Sequence, residues 1–390
     1  MYRIGKAEIE EGARVIESRY LFRTGSPVHA TEDFEKAWAE RIGVRYSICV
    51  SGGTPALIAG LVGLEIGPGD EVIVPAYTFM ATASAVLAVG AIPVLAEVDD
   101  TLTMDPADLA SKIGPHTRAV IPVHMVGYPC DMERILDLAR QNQLKVLEDA
   151  CQADGGSYRG RRLGSWGDAG AFSFNHYKII AAGEGGALAT NDRKVYERAL
   201  IYHDIGAEFR PYAQGLSEPV FSGMQLRVSE VIGAILNAQL KRLDGILTDL
   251  RRVKRQFLEE LTQEANIRFV CSNDIAGDCG TTLGIIFDSE SIARRFAQSE
   301  GVDGWLPIDS DKHVYCNWEP ILQKRGAHHP ALDPFQMAQN QGLRMDYSKI
   351  MCPNTLDILS RTVFISLHPD WGDQEVDRRV RDCRKAAAAL

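Results

Sequence analysis

The chain has 390 residues, 45% of them apolar and 24% charged, with a formal net charge of −10. That length predicts one large unit plus a smaller one, and the acidic balance argues against a general nucleic-acid or membrane-surface binder. The longest apolar stretch, "ATASAVLAVGAIPVLAEV", is cut by Gly90 and Pro93 and is too alanine-rich for a spanning helix, so the chain reads as cytoplasmic. Its eight cysteines are scattered with no CxxC pair, which predicts free, mostly buried thiols and neither a disulfide framework nor a metal site.

The start, "MYRIGKAEIEEGARVIESRYL", reads as an amphipathic helix, and residues 1–30 as an N-terminal arm. From about residue 45 to 190, short runs rich in Val and Ile alternate with helical patterns. "YSICVSG" precedes "TPALIAGLVGLEI", "DEVIVPAYT" precedes "ATASAVLAVG", and "IPVLAEVD" precedes "DPADLASKI", with an aspartate suited to the N-cap. "RAVIPVHMVG", "DMERILDLARQNQ" and "KVLEDAC" continue the alternation. This is the pattern of βαβ units, a mostly parallel sheet, and ligands at the carboxyl ends of its strands. One helical pattern then persists from Ser229 to about Gln263, as though bridging two domains. The expected fold is α/β: a large domain over 31–245 and a smaller α+β domain over 246–390.

Three segments carry candidate chemistry. "VSGGTPAL" places small residues between a strand and a helix, where exposed backbone N–H groups bind phosphate; a tight turn is the plainer alternative. "VLEDACQADGG" puts Glu148 or Asp149 at a strand's carboxyl end, where a partly buried carboxylate needs a partner; capping the next turn is the alternative. "FSFNHYK" brings Lys178 to a strand end in an apolar, small-residue setting that favours the neutral, nucleophilic amine; a solvated surface lysine is the alternative. Together, in chain order, they are a phosphate cradle, a carboxylate and a lysine. Pyridoxal 5'-phosphate needs those three things, plus an aromatic against its ring: Phe79, or else Tyr77.

With "FEKAWAERIGVRYSICVSGGTPAL", "GPGDEVIVPAYTFMATASAVLAVGAIPVLAEVD", "PVHMVGYPCDM", "YKIIAAGEGGALATND" and "LHPDWGDQEVDR" added, the chain resembles the DegT/DnrJ/EryC1/StrS sugar aminotransferases. The resemblance implies fold type I, like aspartate aminotransferase: a three-layer α/β/α large domain with a smaller α+β C-terminal domain. It implies a homodimer with shared active sites, and pyridoxal phosphate as cofactor with pyridoxamine 5'-phosphate as intermediate. The donor would be glutamate, and the acceptor a keto or aldehyde sugar of polysaccharide or amino-sugar biosynthesis. Lys178 would form the Schiff base and Asp149 would pair with the pyridine nitrogen. Gln152 would lie near the ring hydroxyl, Phe79 would stack on the ring, and Ser173 with the backbone of Gly53 and Thr54 would hold the phosphate. Glu184 would touch substrate, and Arg227, His203, Arg23 and Lys312 are candidate cations for anionic substrates.

Some positions depart from the family pattern. "GMQLRVSE" has Gln225 where an asparagine usually reaches the neighbouring subunit's phosphate, and "QADGG" has Asp154 where the pattern has histidine. "DIG" stands for the usual "NHG". "GVDGWLPIDSDKHVYCNWEPIL" is most similar to the subgroup that aminates C8 of the acid sugar Kdo. Retention of Lys178 argues against the subgroup that dehydrates sugars, and a non-catalytic regulator on this fold would be expected to have lost the lysine or the carboxylate.

Overall fold

The computed structural model describes residues 3–206 and 208–390. The amphipathic start forms α1 (Lys6–Glu17), followed by α2 (Ala30–Ile42). The alternation read in the sequence becomes β1 (Tyr46–Val50), α3 (Gly53–Gly63), β2 (Glu71–Pro75), α4 (Ala81–Ala88), β3 (Ile92–Ala96), α5 (Pro106–Lys112), β4 (Thr117–Val120), α6 (Met132–Gln141) and β5 (Lys145–Asp149). Asp105 caps α5, its side chain accepting from the N–H of Ala107 at 2.8 Å. A small ribbon of β6 (Ser157–Tyr158) and β7 (Arg161–Arg162) precedes β8 (Ala169–Ser173), β9 (Gly186–Thr190) and α7 (Arg193–His203).

The large sheet has seven strands in the order β1-β9-β8-β5-β4-β2-β3. The pairings from β8 through β3 are parallel, and β9 runs antiparallel to both β1 and β8. Period-2 alternation sends Val72 and Val74 of β2 to one face, with the side chains of α3, α4 and α7, and Ile73 to the other, with those of α2, α5 and α6. Both faces are therefore covered, which is why these strands read as continuous apolar runs.

The single long helix expected from Ser229 to Gln263 is instead two, α8 (Glu230–Leu240) and α9 (Leu243–Leu261). The break falls where α1 reaches over. The Glu8 carboxylate accepts from Arg242 Nε at 2.6 Å and from Gln239 Nε2 at 2.9 Å, and Gln239 Nε2 also donates to the carbonyl of Arg3 at 2.6 Å. Hydrophobic periodicity cannot register such a contact, because it comes from residues more than 200 positions away.

A second, antiparallel sheet follows, in the order β10-β11-β13-β12. Its region comprises β10 (Arg268–Phe269), β11 (Thr282–Ile286), α10 (Glu290–Ala297), β12 (Gly304–Trp305), α11 (Glu319–Leu322), α12 (Pro353–Ser360), β13 (Thr362–Ser366) and α13 (Asp373–Ala388). Part of the stretch assigned by sequence to the small domain returns to the large sheet. Thr78 N–H donates to the carbonyl of His313 at 2.9 Å and Tyr315 N–H to that of Ala76 at 3.0 Å. Arg344 pairs with Glu71, and Glu97 accepts from the N–H groups of Asn354 at 3.1 Å and Thr355 at 2.7 Å. Among the described residues no helix is long and apolar enough to cross a membrane.

The α1 junction is pH-sensitive. Burial opposes the charge of Glu8, but Arg242, Gln239 and the N–H of Gly5 outweigh it and hold its pKa down to about 2. A carboxyl whose folded pKa lies below its unfolded one stabilises above the unfolded value and loses that contribution as pH falls toward the folded one. Between pH 4.5 and 2 the α1 contact should weaken. Limited proteolysis of the N-terminal segment should accelerate across that window, and Glu8→Gln should remove the pH dependence.

Candidate functional site

The carboxyl ends of β1, β5 and β8 converge at the N-terminus of α3. Gly53 is the first residue of α3, and a Cβ there would lie 2.8 Å from Cys151 Sγ and 2.9 Å from Ser173 Cβ. Only glycine permits this approach. No side chain caps α3 at its N-terminus. Its first-turn amides, including those of Gly53 and Thr54, are therefore available to an anion beside the Ser173 hydroxyl.

These ends open into a cavity of about 700 Å³. Of the sequence-predicted residues, it brings together Gly53, Thr54, Phe79, Asp149, Gln152, Ser173, Lys178, Glu184 and Lys312. Lys178 follows β8 in a short excursion closed by two backbone bonds, Phe174 N–H to Gly185 O at 2.8 Å and His176 N–H to Gly183 O at 3.0 Å. Within it, Lys178 N–H donates to the carbonyl of Asn175 at 2.9 Å, and Asn175 Nδ2 donates to Glu184 at 3.3 Å. Tyr177 lines the cavity and is largely exposed, and the His176 ring packs edge-on against it.

Asp149 ends β5 and is 5% exposed. Its Oδ2 accepts from Thr82 Oγ1 at 2.8 Å and its Oδ1 from Cys151 N–H at 3.1 Å. Thr82 in turn bonds Thr78 Oγ1 at 2.8 Å, so the first turn of α4 fixes the carboxylate. The adjacent Glu148 points to the other face, where it accepts from the N–H groups of Gly164, Trp166 and Gly167 at 2.7, 2.6 and 2.8 Å and meets His124 Nε2 at 3.1 Å. Gln152 Oε1 accepts from Val126 N–H at 3.0 Å. Phe79 presents an apolar face to the cavity and is 42% exposed, whereas Tyr77 is buried.

The far side of the cavity comes from the second sheet and its loops: Thr281, Thr282, Trp305, Lys312, His313 and Ser366. The His313 ring lies 5.7 Å from that of Phe79, and its Nδ1 is 2.5 Å from Ser310 Oγ. Burial, aided by the charges of Lys312 and Lys178, pushes the His313 pKa down to about 4, so it is neutral. The motifs did not reveal Thr78, Thr82, Trp305, His313 or Ser366. The i, i+4 pair of threonines in "YTFMAT" was a legible signal for the first two.

Arg23, His203, Gln225 and Arg227 are not among the cavity-lining residues. Arg23 pairs with Glu35 at 2.9 Å and contacts His203 Nε2 at 3.2 Å, while His203 Nδ1 donates to Leu200 O at 2.6 Å. Burial, then the charge of Arg23, pushes the His203 pKa down to about 3. Arg227 pairs with Asp204, which also accepts from Arg210 and Tyr212, and the backbone of Asp204 bridges to that of Gln225. Beside this cluster Leu21, Phe22, Ile205, Phe209 and Met224 are exposed.

Residues 3–281 match the family model described as the DegT/DnrJ/EryC1/StrS aminotransferase family. The chain is 32% identical over 402 residues to the spore coat polysaccharide biosynthesis protein SpsC of Bacillus subtilis, covering 98% of this chain and 96% of that one. It is 41% identical over 242 residues to the GDP-perosamine synthase of Caulobacter vibrioides, covering 60% of this chain and 62% of that one. Its fold superposes on an aminotransferase from Psychrobacter cryohalolentis with a TM-score of 0.82 at 25% identity, over 100% of this chain and 99% of that one.

The cradle yields a direct test. Gly53→Ala forces a methyl into Cys151 and Ser173, so the affinity for added pyridoxal phosphate, followed by visible absorbance, should fall about tenfold or more, as expected for one lost charged hydrogen bond.

Proposed function

Because the chain belongs to the DegT/DnrJ/EryC1/StrS aminotransferase family, we propose that it uses pyridoxal phosphate to move an amino group from glutamate to a keto or aldehyde sugar. Aminotransferase activity in amino-sugar biosynthesis is what the family and its named members carry; the cofactor, donor and acceptor are our reading. The observation that carries it is one cavity onto which Lys178, the fixed Asp149 carboxylate and the uncapped start of α3 all open.

The residues fit the cofactor. The amides of Gly53 and Thr54 with Ser173 would hold its phosphate, Phe79 its ring, Gln152 its hydroxyl and Asp149 its ring nitrogen. When bound, pyridoxal phosphate supplies an electron sink that lets the carbon bearing the amino group give up its proton. The protein's part is positional and protic. Thr82 and the N–H of Cys151 hold Asp149 in one orientation, and its negative charge keeps a neighbouring proton in place. Lys178 would supply the nucleophilic amine and, as a free amine, would take the proton from the substrate carbon and hold it for return. Neutral His313 and the Trp305 indole line the far side.

Two substrates with carboxylates, or a nucleotide-linked sugar, call for a cation near the entrance. Lys312 lines the cavity and makes no ion pair with the described residues. The Arg23 and Arg227 cluster, with its bare aromatic and aliphatic side chains, would lie at the contact with a second copy of this chain, where Gln225 would approach the partner's site. A sugar acid of the Kdo type, aminated at C8, is the acceptor that the loop carrying Trp305 and Lys312 suggests.

Glutamate added to the cofactor-loaded protein should shift its visible absorbance and release 2-oxoglutarate. Lys178→Ala should abolish both with the circular dichroism unchanged. A cofactor-loaded wild type that releases no 2-oxoglutarate would rule out glutamate-dependent amino transfer. Lys312→Ala should raise KM for the anionic substrate about tenfold, the weight of one hydrogen bond to a charged group, with kcat largely kept. A fall in kcat at constant KM would instead place Lys312 at the chemical step.

A further inference from the structure

Two cavities meet at Trp305, which lines both. Ser310 lines the outer one, of about 460 Å³, and His313 lines the one that holds Lys178 and Asp149. The two side chains join across this wall, with His313 Nδ1 2.5 Å from Ser310 Oγ. The nitrogens of an imidazole lie on different edges of the ring, so with Nδ1 turned to Ser310, Nε2 is left to the cavity that His313 lines. Nε2 makes no hydrogen bond with the described residues.

The backbone holds the ring in this place. His313 N–H donates to Ser310 O at 3.0 Å, Thr78 N–H to His313 O at 2.9 Å and Met80 N–H to Lys312 O at 3.0 Å. The ring is neutral and carries one proton, because burial first, and then the charges of Lys312 and Lys178, oppose a second. The Ser310 hydroxyl has no other partner among the described residues, and by donating to Nδ1 it leaves the ring proton on Nε2. Other donors on the far wall are spent within the protein: Thr281 Oγ1 on Val126 O at 2.6 Å, and Trp305 Nε1 on Ser366 Oγ at 3.3 Å. The large-sheet side carries the groups that fit the cofactor, so this wall faces the substrate.

We propose that His313 is a catalytic residue whose Nε2–H donates a hydrogen bond to the substrate's carbonyl oxygen while that oxygen is exchanged for nitrogen, and that Ser310 is the positioning residue that keeps the proton on Nε2. In the donor half of the reaction a water oxygen bonds to the substrate carbon, and one of the water's protons goes to the transferred nitrogen. The second proton then passes to that nitrogen, the C–N bond breaks, and the oxygen stays as the carbonyl of the oxo product. In the acceptor half the same bonds form and break in reverse, and the oxygen leaves as water. The oxygen gains negative charge as it loses its last proton, and an N–H donor already in position stabilises that charge. A neutral imidazole does this without giving up its proton, so His313 is unchanged at the end. The inference rests on the amino-transfer reading.

The first readout needs neither cofactor nor turnover. Histidine nitrogen NMR of the isotope-labelled full chain, with the His313 signals identified by their absence from His313→Phe or His313→Gln, should show Nε2 protonated and Nδ1 bare. The reverse tautomer overturns the proposal. Ser310→Ala should admit the other tautomer and draw the two signals together; unmoved signals overturn the role of Ser310. The second readout is kinetic, with glutamate and cofactor-loaded protein. His313→Phe keeps an aromatic wall but has no donor, so kcat for 2-oxoglutarate release should fall about a hundredfold with KM for glutamate kept, and His313→Gln, which has an N–H, should recover part of the loss. An unchanged kcat in a His313→Phe variant with wild-type circular dichroism overturns the proposal, as does a loss carried by KM alone. Should His313→Phe not fold, Ser310→Ala carries the kinetic test: kcat should fall at constant KM, and an unchanged kcat counts against the proposal. A wild type that releases no 2-oxoglutarate ends the amino-transfer reading, whereas the tautomer is read without turnover, so the two failures are seen separately.

Discussion

The site depends on the absence of a side chain at position 53. Three strand ends that are far apart in the chain meet there, and a single methyl would overlap Cys151 and Ser173. Because the approach is that close, the amides of α3, the Ser173 hydroxyl and the residues just beyond β5 and β8 share one cavity wall. Asp149 is the last residue of β5, and Lys178 lies five residues after the end of β8, so the positions of both follow from the same convergence.

The charges around the cavity are sorted by what each side chain can reach. Arg23 and Arg227 are committed to Glu35 and Asp204. His203 and His313 are kept neutral by burial beside other cations. Lys178 and Lys312 line the cavity and make no such pairs with the described residues, so the basic side chains available to a ligand are lysines, whose compact amine suits nucleophilic and proton-transfer work better than a guanidinium. Asp154, buried behind the wall, has no hydrogen bond to either carboxyl oxygen among the described residues.

Much of this was legible from local pattern. Alternating apolar runs and helical segments specify a parallel sheet, and its carboxyl edge is where small residues, a carboxylate and a lysine recur. The choice between Glu148 and Asp149 was open, since both follow the same apolar run. Strand alternation resolves it: one faces the Gly164–Gly167 turn and the other the cavity. The helix break at Lys241–Arg242 and the return of residues 312–315 to the segment just after β2 were illegible, because the contacts at each are made with partners more than 200 residues away.

The sequence by itself determined the sheet, the order of its elements and the three groups a phosphate-bearing carbonyl cofactor needs, because period, turn chemistry and strand-end position are local properties of the chain. Only the tertiary structure decided which cations reach the cavity. Arg23, His203 and Arg227 carry the right chemistry in the sequence, but folding delivers them to Glu35, Leu200 and Asp204. Lys312 and His313 reach the cavity because backbone hydrogen bonds tie their loop to residues 76–80. A side chain's charge is written in its residue type, whereas its partner is set by which distant segments the packed core brings within reach.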